Sequence, residues 1–279
     1  YGYLPVYKMD EGKWKDIGEH INKYVKFEDN DKIVGCFIVN NFKTAAWLIT
    51  YTKAGLIKKT PIDNLELSRY SKAAVLTKLK KNDEVIFANI CYDNDQIISC
   101  SKQGYITRFN LDDITMTAPK GQGVRGIKLA MDDELASACI LPSNQNYQYV
   151  LIHGDDNLVK RVKLDVIPIT KAALKGLRCF KKLKTKANYV TFIECVNGHE
   201  VLQYVQDNTI EEVSVSTISI MDMESSWSKL NAIASFEGLL KPIVSVEVVD
   251  MTTSGCYQNK VNKQDESLEH SEFEQVTLF

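Results

Sequence analysis

Three patterns in the 279-residue sequence have residue types and spacing that could do chemistry. Gly121-Gln-Gly-Val-Arg-Gly126 spells G-x-G-x-x-G, which holds a dinucleotide pyrophosphate when a strand precedes it, a helix follows it and an acid stands about 20 positions on. Here Pro119 and Lys120 precede it, and Ile127-Lys-Leu129 and an Asp132-Asp133 turn follow within a few residues, so no helix fits. What remains is a flexible glycine-rich loop with Lys120, Arg125 and Lys128 projecting, in which backbone can approach a phosphate closely. Asp132-Asp133-Glu134 offers the oxygens a divalent cation takes, yet the same acidic turn recurs along the chain, and a turn explains it. His20, His153, His199 and His270 never pair at metal or triad spacing, and no G-x-S-x-G is present. The seven cysteines form no C-x-x-C pair and sit mostly among Val, Ile and Phe, which predicts buried free thiols and a reducing compartment rather than zinc. No catalytic residue, metal site or cofactor is assigned.

The third pattern is basic. Lys58-Lys59, Arg108 and Lys160-Arg161 recur at one phase, and Lys171, Lys175, Arg178, Lys181, Lys182, Lys184 and Lys186 crowd a stretch without an acid. The formal net charge is −2, but residues 199–279 hold 4 Lys+Arg against 14 Asp+Glu, leaving residues 1–198 with 30 against 22. Charge runs usually mark a solvated face. Runs that recur in phase would align along one rim, where they can follow a phosphate backbone. Side-chain alternation then turns one member of each basic pair away from any single face.

The phase comes from a repeat of about fifty residues. A small turn residue, two apolar residues and a basic pair or its remnant appear at Gly55-Leu-Ile-Lys-Lys-Thr60, Gly104-Tyr-Ile-Thr-Arg-Phe109 and Asn157-Leu-Val-Lys-Arg-Val162, with weaker copies at Gly2 and Asn208. A polar turn before an apolar strand keeps the same beat at Asp29-Asn-Asp-Lys-Ile33, Lys81-Asn-Asp-Glu-Val85, Met131-Asp-Asp-Glu-Leu135 and Lys186-Ala-Asn-Tyr189. Trp47-Leu-Ile-Thr-Tyr51, Gln96-Ile-Ile-Ser-Cys100 and Tyr149-Val-Leu-Ile-His153 read as strands that form hairpins with the turn-apolar-basic strands. Val85–Ile90 and Val190–Cys195 follow as further strands. About four strands per unit predict an all-β protein of radially arranged blades. Repeat units fall at about 2–42, 43–93, 94–143, 144–198 and 199–250, the first lacking its opening strand, and 251–279 reads as an acidic, flexible C-terminal tail.

Length and composition (44% hydrophobic, 25% charged) are those of a globular chain with an ample core. No apolar run reaches the roughly 18 residues of a membrane span. The chain opens on Tyr1 without an initiator Met or signal-peptide pattern, which predicts a piece of a longer polypeptide.

Gly55-Leu-Ile-Lys-Lys-Thr60, a loop, then a Lys-Leu strand and an acidic turn resembles the repeat of the C-terminal domain found in the DNA-cleaving polypeptide of bacterial type II topoisomerases, their A chain. Lys13-Trp-Lys-Asp-Ile-Gly-Glu-His-Ile21, the turn at Asp29-Asn30-Asp31 and Arg69-Tyr-Ser-Lys-Ala73 look more specifically like the topoisomerase IV form of Gram-positive type. Gyrases carry a DNA-wrapping box, Gln-Arg-Arg-Gly-Gly-Lys-Gly, of which Lys120-Gly-Gln-Gly-Val-Arg-Gly126 is the nearest degenerate remnant, which favours topoisomerase IV. The resemblance covers residues 2–250. It implies a β-pinwheel, a propeller-like ring of five to six blades in which neighbouring repeats exchange a strand.

It also implies a non-catalytic domain that binds and bends double-stranded DNA, setting topology preference in decatenation and supercoil relaxation. The catalytic tyrosine would lie outside this chain. The holoenzyme would be a cytoplasmic, nucleoid-associated heterotetramer with the ATP-hydrolysing partner polypeptide, and would use ATP and Mg²⁺. Combined with the charge pattern, the expected DNA contacts are Lys58, Lys59, Arg69, Lys72, Arg108, Lys120, Arg125, Lys128, Lys160, Arg161, Lys171, Lys175, Arg178 and Lys182. The acidic unit 199–250 would repel DNA, and the rival reading is a blade scaffold that binds proteins through that unit and the tail.

Overall fold

The computed structural model describes residues 1–230 except 14, 29–30, 71, 119, 182–187 and 207–208, together with 238–239, 244–246 and 276–278. In chain order its strands are β1 (Tyr3–Pro5), β2 (Phe37–Val39), β3 (Trp47–Thr52), β4 (Leu56–Pro61), β5 (Val85–Cys91), β6 (Gln96–Ser101) and β7 (Tyr105–Asn110). Then come β8 (Val124–Arg125), β9 (Leu135–Leu141), β10 (Tyr149–Gly154), β11 (Leu158–Lys163), β12 (Leu177–Arg178) and β13 (Val190–Val196). The last are β14 (Val201–Gln206), β15 (Thr209–Ser214), β16 (Ser228–Lys229), β17 (Gly238–Leu239), β18 (Val244–Val246) and β19 (Val276–Leu278). The described helical segments are short 3₁₀ turns.

Two compact units divide the chain. The first comprises Tyr1–Trp47, Pro61–Val75 and Ile243–Phe279, and holds one sheet of order β1-β19-β2-β18. Here β19 lies antiparallel to both β1 and β2, with Leu278 opposite Tyr3 and Phe37, and so takes the place between them that a hairpin's first strand fills in the other sheets. Residues 251–275 of the expected tail lie outside the described residues, whereas Val276–Leu278 is strand.

The second unit comprises Leu48–Thr60 and Leu76–Pro242. Its sheets run β5-β3-β4-β8, β9-β6-β7-β12, β13-β10-β11-β16 and β17-β14-β15. One plan repeats in the first three of these: an edge strand, the two strands of a hairpin, then a two-residue strand. That last strand comes from a later part of the chain. Val124 pairs with Ile57, Leu177 with Ile106 and Ser228 with Val159, each reaching back past the intervening hairpin. The expected glycine-rich loop is therefore corrected: it contains the paired strand β8 rather than being a flexible loop throughout.

Local chemistry explains the repeat's two markers. The small turn residue must take positive φ, which Gly55 (78°), Gly104 (83°) and the Asp156-Asn157 pair (53° and 56°) do. The acidic turn caps the neighbouring hairpin. Asp83 Oδ1 accepts from the backbone N–H groups of Ala54 and Glu84 at 2.9 and 3.0 Å, and Asp133 Oδ1 accepts from those of Gln103 and Glu134 at 3.0 and 2.9 Å. The first hairpin strands are buried on both faces, which is why they read as continuous apolar runs. Ile98, Val150, Ile152, Val162, Phe180 and Ile193 form one core between the third and fourth sheets in chain order, and Leu151, Val159, Tyr204 and Val213 form the next.

The glycines of the G-x-G-x-x-G run sit where neighbouring groups nearly touch the backbone. A Cβ on Gly123 (φ +87°) would lie 2.5 Å from the Ile57 carbonyl oxygen, and one on Gly126 would lie 2.2 Å from the Tyr51 hydroxyl. Gly176 (φ +81°) repeats this one sheet on, 2.2 Å from the Ile106 carbonyl oxygen. Gly176→Ala should lower the unfolding free energy by about 2–4 kcal/mol in urea titration, because strain and a backbone clash combine. Gly18→Ala, which meets nothing within 4 Å, should stay within about 0.5 kcal/mol of the parent.

His153 is buried against Tyr204 and Phe192, and burial holds its pKa down to about 3. The unfolded chain takes up this proton near pH 6.5 while the folded chain does not, so stability falls as pH drops from about 6.5 towards 3. Between pH 7.5 and 5.5 the loss from this one group should be about 1.4 kcal/mol, read from urea midpoints, and His153→Gln should remove that part of the slope.

Candidate nucleic-acid interface

The repeated basic pairs are inside the protein. Lys58, Lys59, Lys160 and Arg161 are 2%, 6%, 0% and 8% exposed. Lys58 Nζ donates to the carbonyls of Leu76, Ala118 and Gly121 at 2.7, 3.3 and 3.3 Å. Lys160 Nζ donates to the carbonyls of Asp222 and Met223 at 2.7 and 2.8 Å, to that of Ser225 at 3.4 Å and to its hydroxyl at 3.1 Å. Both ammoniums thus sit in cradles of loop carbonyls beside an exchanged strand. Burial lowers the pKa of each. Charge-assisted bonds to several carbonyls offset that desolvation, and the four-carbon stem crosses apolar surface on the way.

The second member of each pair is engaged too. Lys59 Nζ stands 3.6 Å from Asp93 and 3.7 Å from Asp112, and the Arg161 guanidinium lies 4.8 Å from the Tyr149 ring centroid. Arg108, half-buried, donates from Nε to Gln96 and from Nη1 to the carbonyls of Leu164 and Ile167. These five residues were expected along a rim; the structure instead spends their charge on internal acceptors. Strand alternation did separate the members of each pair, but both faces of the strand are covered.

Exposed basic residues cluster on two segments that carry exchanged strands. Residues 115–130 contribute Lys120, Arg125 and Lys128, and 168–181 contribute Lys171, Lys175, Arg178 and Lys181; neither segment contains an acid. All are exposed except Arg178, which is half-buried. Arg178 donates from Nη1 to the Tyr105 hydroxyl at 3.2 Å and from Nε to the Phe180 carbonyl at 3.2 Å, while Lys175 Nζ sits 4.2 Å from the centroid of the same tyrosine ring. That aromatic platform fixes two cations side by side.

Backbone hydrogen bonds join these segments in series. Lys78 N–H donates to the Gly121 carbonyl, Lys128 N–H to that of Leu174, Ala173 N–H to that of Gly126, and Lys181 N–H to that of Ser225. The series adds Lys78, Lys80 and Lys81, all three exposed, which the repeat pattern places at a turn. Their signal was the run Lys78-Leu-Lys-Lys81 itself. At the far end the corresponding segment, 219–230, holds Asp222 and Glu224 against Lys229. In the first unit Arg69 and Lys72 lie at the surface, and the Lys72 backbone forms a β-bridge with Lys26. Lys182 lies outside the described residues. Among the described residues no three His, Cys, Asp or Glu side chains gather where they could hold a metal ion, and no helix is long and apolar enough to cross a membrane.

Removing a buried ammonium leaves several carbonyls without their donor. Lys160→Met should therefore cost about 2–4 kcal/mol in chemical denaturation. Lys163→Met, on the exposed end of the same strand, should cost less than about 0.5 kcal/mol.

The sequence profile of the family described as "DNA gyrase C-terminal domain, beta-propeller" matches residues 4–40, 46–91, 95–138 and 148–197, four successive repeats. The A chain of DNA topoisomerase 4 from Bacillus subtilis (strain 168) is 30% identical over 82% of this chain and 28% of its own length, and that from Staphylococcus aureus is 24% identical over 76% and 26%. The chain thus spans little more than a quarter of these relatives. Among solved structures, the C-terminal domain of DNA topoisomerase IV superposes with a TM-score of 0.77 at 22% identity, covering 82% of this chain and 71% of that one. The DNA gyrase A C-terminal domain gives 0.65 at 21% identity, covering 77% and 71%. The shared fold is the all-β, strand-exchanged β-pinwheel.

Proposed function

The chain belongs to the DNA gyrase C-terminal domain family, and on that premise we propose that it is the non-catalytic DNA-binding domain of the A chain of a topoisomerase IV, holding duplex DNA on its strand-exchange segments. The observation that carries this reading is the series of hydrogen-bonded segments bearing Lys78, Lys80, Lys81, Lys120, Arg125, Lys128, Lys171, Lys175, Arg178 and Lys181 with no acid in 115–130 or 168–181. Cations fixed at repeat spacing neutralise successive phosphates without reading bases. Arg69 and Lys72 of the first unit, and Lys182, are further candidate phosphate contacts in their own right.

Smoothly bending 20–30 base pairs costs on the order of 1–6 kcal/mol, which several phosphate contacts must offset. Asp222 and Glu224 end the basic series, so the DNA would leave the surface before the fifth repeat. Bending would bias strand passage by DNA topology in decatenation and supercoil relaxation. The catalytic tyrosine, the ATP and Mg²⁺ sites and the contacts with the ATP-hydrolysing polypeptide in a heterotetramer are assigned to the remainder of the enzyme, in the bacterial cytoplasm.

Fluorescence anisotropy with a labelled duplex across a salt series tests the reading. Binding should be independent of base sequence, and log affinity should fall with log salt at about −0.9 per phosphate contact. The triple change Lys120→Glu, Arg125→Glu and Lys128→Glu should weaken binding at least about tenfold at about 100 mM salt and flatten the slope by about two to three. Lys229→Glu should do much less. Binding that ignores both salt and the triple change would overturn the proposal, and capture of a basic protein without duplex binding would return the scaffold reading.

A further inference from the structure

Four cysteines, Cys100, Cys139, Cys179 and Cys195, share the core between the third and fourth sheets. Two of them are far closer than packing alone requires. Cys139 Sγ lies 2.7 Å from Cys195 Sγ, whereas Cys100 Sγ lies 3.9 Å from Cys179 Sγ, an ordinary van der Waals separation. Cys139 sits on β9, opposite Ile98, and Cys195 on β13, opposite Val150. Both strands are edges of their sheets. Leu141 and Val196 hold equivalent register positions, opposite the first residues of their hairpins, which puts Cys139 two residues and Cys195 one residue from that point. Opposite parity on adjacent sheets turns the two thiols toward each other.

We propose that Cys139 and Cys195 are a peroxide-sensitive dithiol that closes to a disulfide and staples the third sheet to the fourth. A disulfide needs an S–S distance of about 2.05 Å, so the sulfurs must approach by less than about 1 Å. Cys195 is the more exposed of the two, at 6% against 3%.

The reaction balances with hydrogen peroxide as the oxidant. The Cys195 sulfur attacks one peroxide oxygen, the O–O bond breaks, and the departing hydroxide leaves as water with the thiol proton. The Cys139 sulfur then attacks the sulfenic sulfur, the S–O bond breaks, and a second water carries off the oxygen and the Cys139 proton. Two thiols are oxidised, one peroxide is reduced to two waters, and a cellular thiol such as glutathione reverses the bond by exchange.

The test treats the purified chain with hydrogen peroxide, blocks remaining thiols with N-ethylmaleimide and maps the non-reduced peptides by mass spectrometry. A peptide joining Cys139 to Cys195 should appear, lighter by two hydrogens than its separate parts. The urea midpoint should rise with it and fall back on adding dithiothreitol. Cys139→Ser and Cys195→Ser should each abolish the linked peptide, whereas Cys36→Ser should leave it. Oxidation that stops at Cys36, links other pairs, or leaves Cys139 and Cys195 both alkylated in the folded parent chain would overturn the proposal. The parent chain decides the question even if a serine variant folds poorly.

Discussion

A buried ammonium holding loop carbonyls is the interaction on which the sheet plan depends. An exchanged strand of two residues makes too few ladder bonds to fix itself, and the loop leading into it converges several carbonyls on one point. Lys58 and Lys160 supply the donors there, in the second and fourth sheets. A neutral side chain of that length has at most two donors, and a shorter one would not reach. In the third sheet the corresponding position is Thr107, and there Gly176 brings the incoming segment hard against the Ile106 carbonyl. The second sheet makes the same close approach at Gly123 and the Ile57 carbonyl beside Lys58, so the third sheet seats a strand that belongs to another repeat by backbone approach without the cation.

This dependence makes neighbouring repeats incomplete without each other. The hairpin turn of one is capped by an aspartate that opens an edge strand, as Asp83 does for Ala54 and Asp133 for Gln103. The outer strand of each is lent by a later segment. Each contact runs to a near neighbour in the array, so stability accumulates along it as nearest-neighbour terms do in solenoids. In the first unit the strand between β1 and β2 comes from Val276–Leu278, so the same rule of a borrowed strand is met there by the end of the chain.

Much of this was legible in the sequence, and the limits have physical causes. Hairpins were visible because positive-φ turn residues and both-face burial leave strong marks, Gly55 before Leu-Ile and Trp47-Leu-Ile-Thr-Tyr51 being examples. Two-residue strands carry no period, so β8, β12 and β16 could not be read. The G-x-G-x-x-G run carries the paired strand β8, and its glycines serve tight backbone approach rather than flexibility. The basic pairs misled because a lysine in a strand ordinarily points to water. Only the converging carbonyls, invisible in sequence, make its burial tolerable. Buried cysteines were expected from their apolar neighbours, whereas the meeting of Cys139 with Cys195 requires knowing which sheets pack.

The same burial changes how charge should be weighed. Residues 1–198 exceed neutrality by eight, but four of the cations among them, Lys58, Lys59, Lys160 and Arg161, are enclosed, three of them bonded within the chain and Arg161 stacked on Tyr149. Those four charges are therefore unavailable to a polyanion. What remains is concentrated, because strand exchange draws the acid-free segments 115–130 and 168–181 into one hydrogen-bonded series with Lys78. Ion pairing beyond about 10 Å is screened at about 0.1 M salt, so local density governs contact with phosphates far more than net charge does. The buried lysines act on that surface indirectly. By seating the 118–121 loop, Lys58 determines where Lys120 and Arg125 stand, and the repeat thus uses one cation to place others.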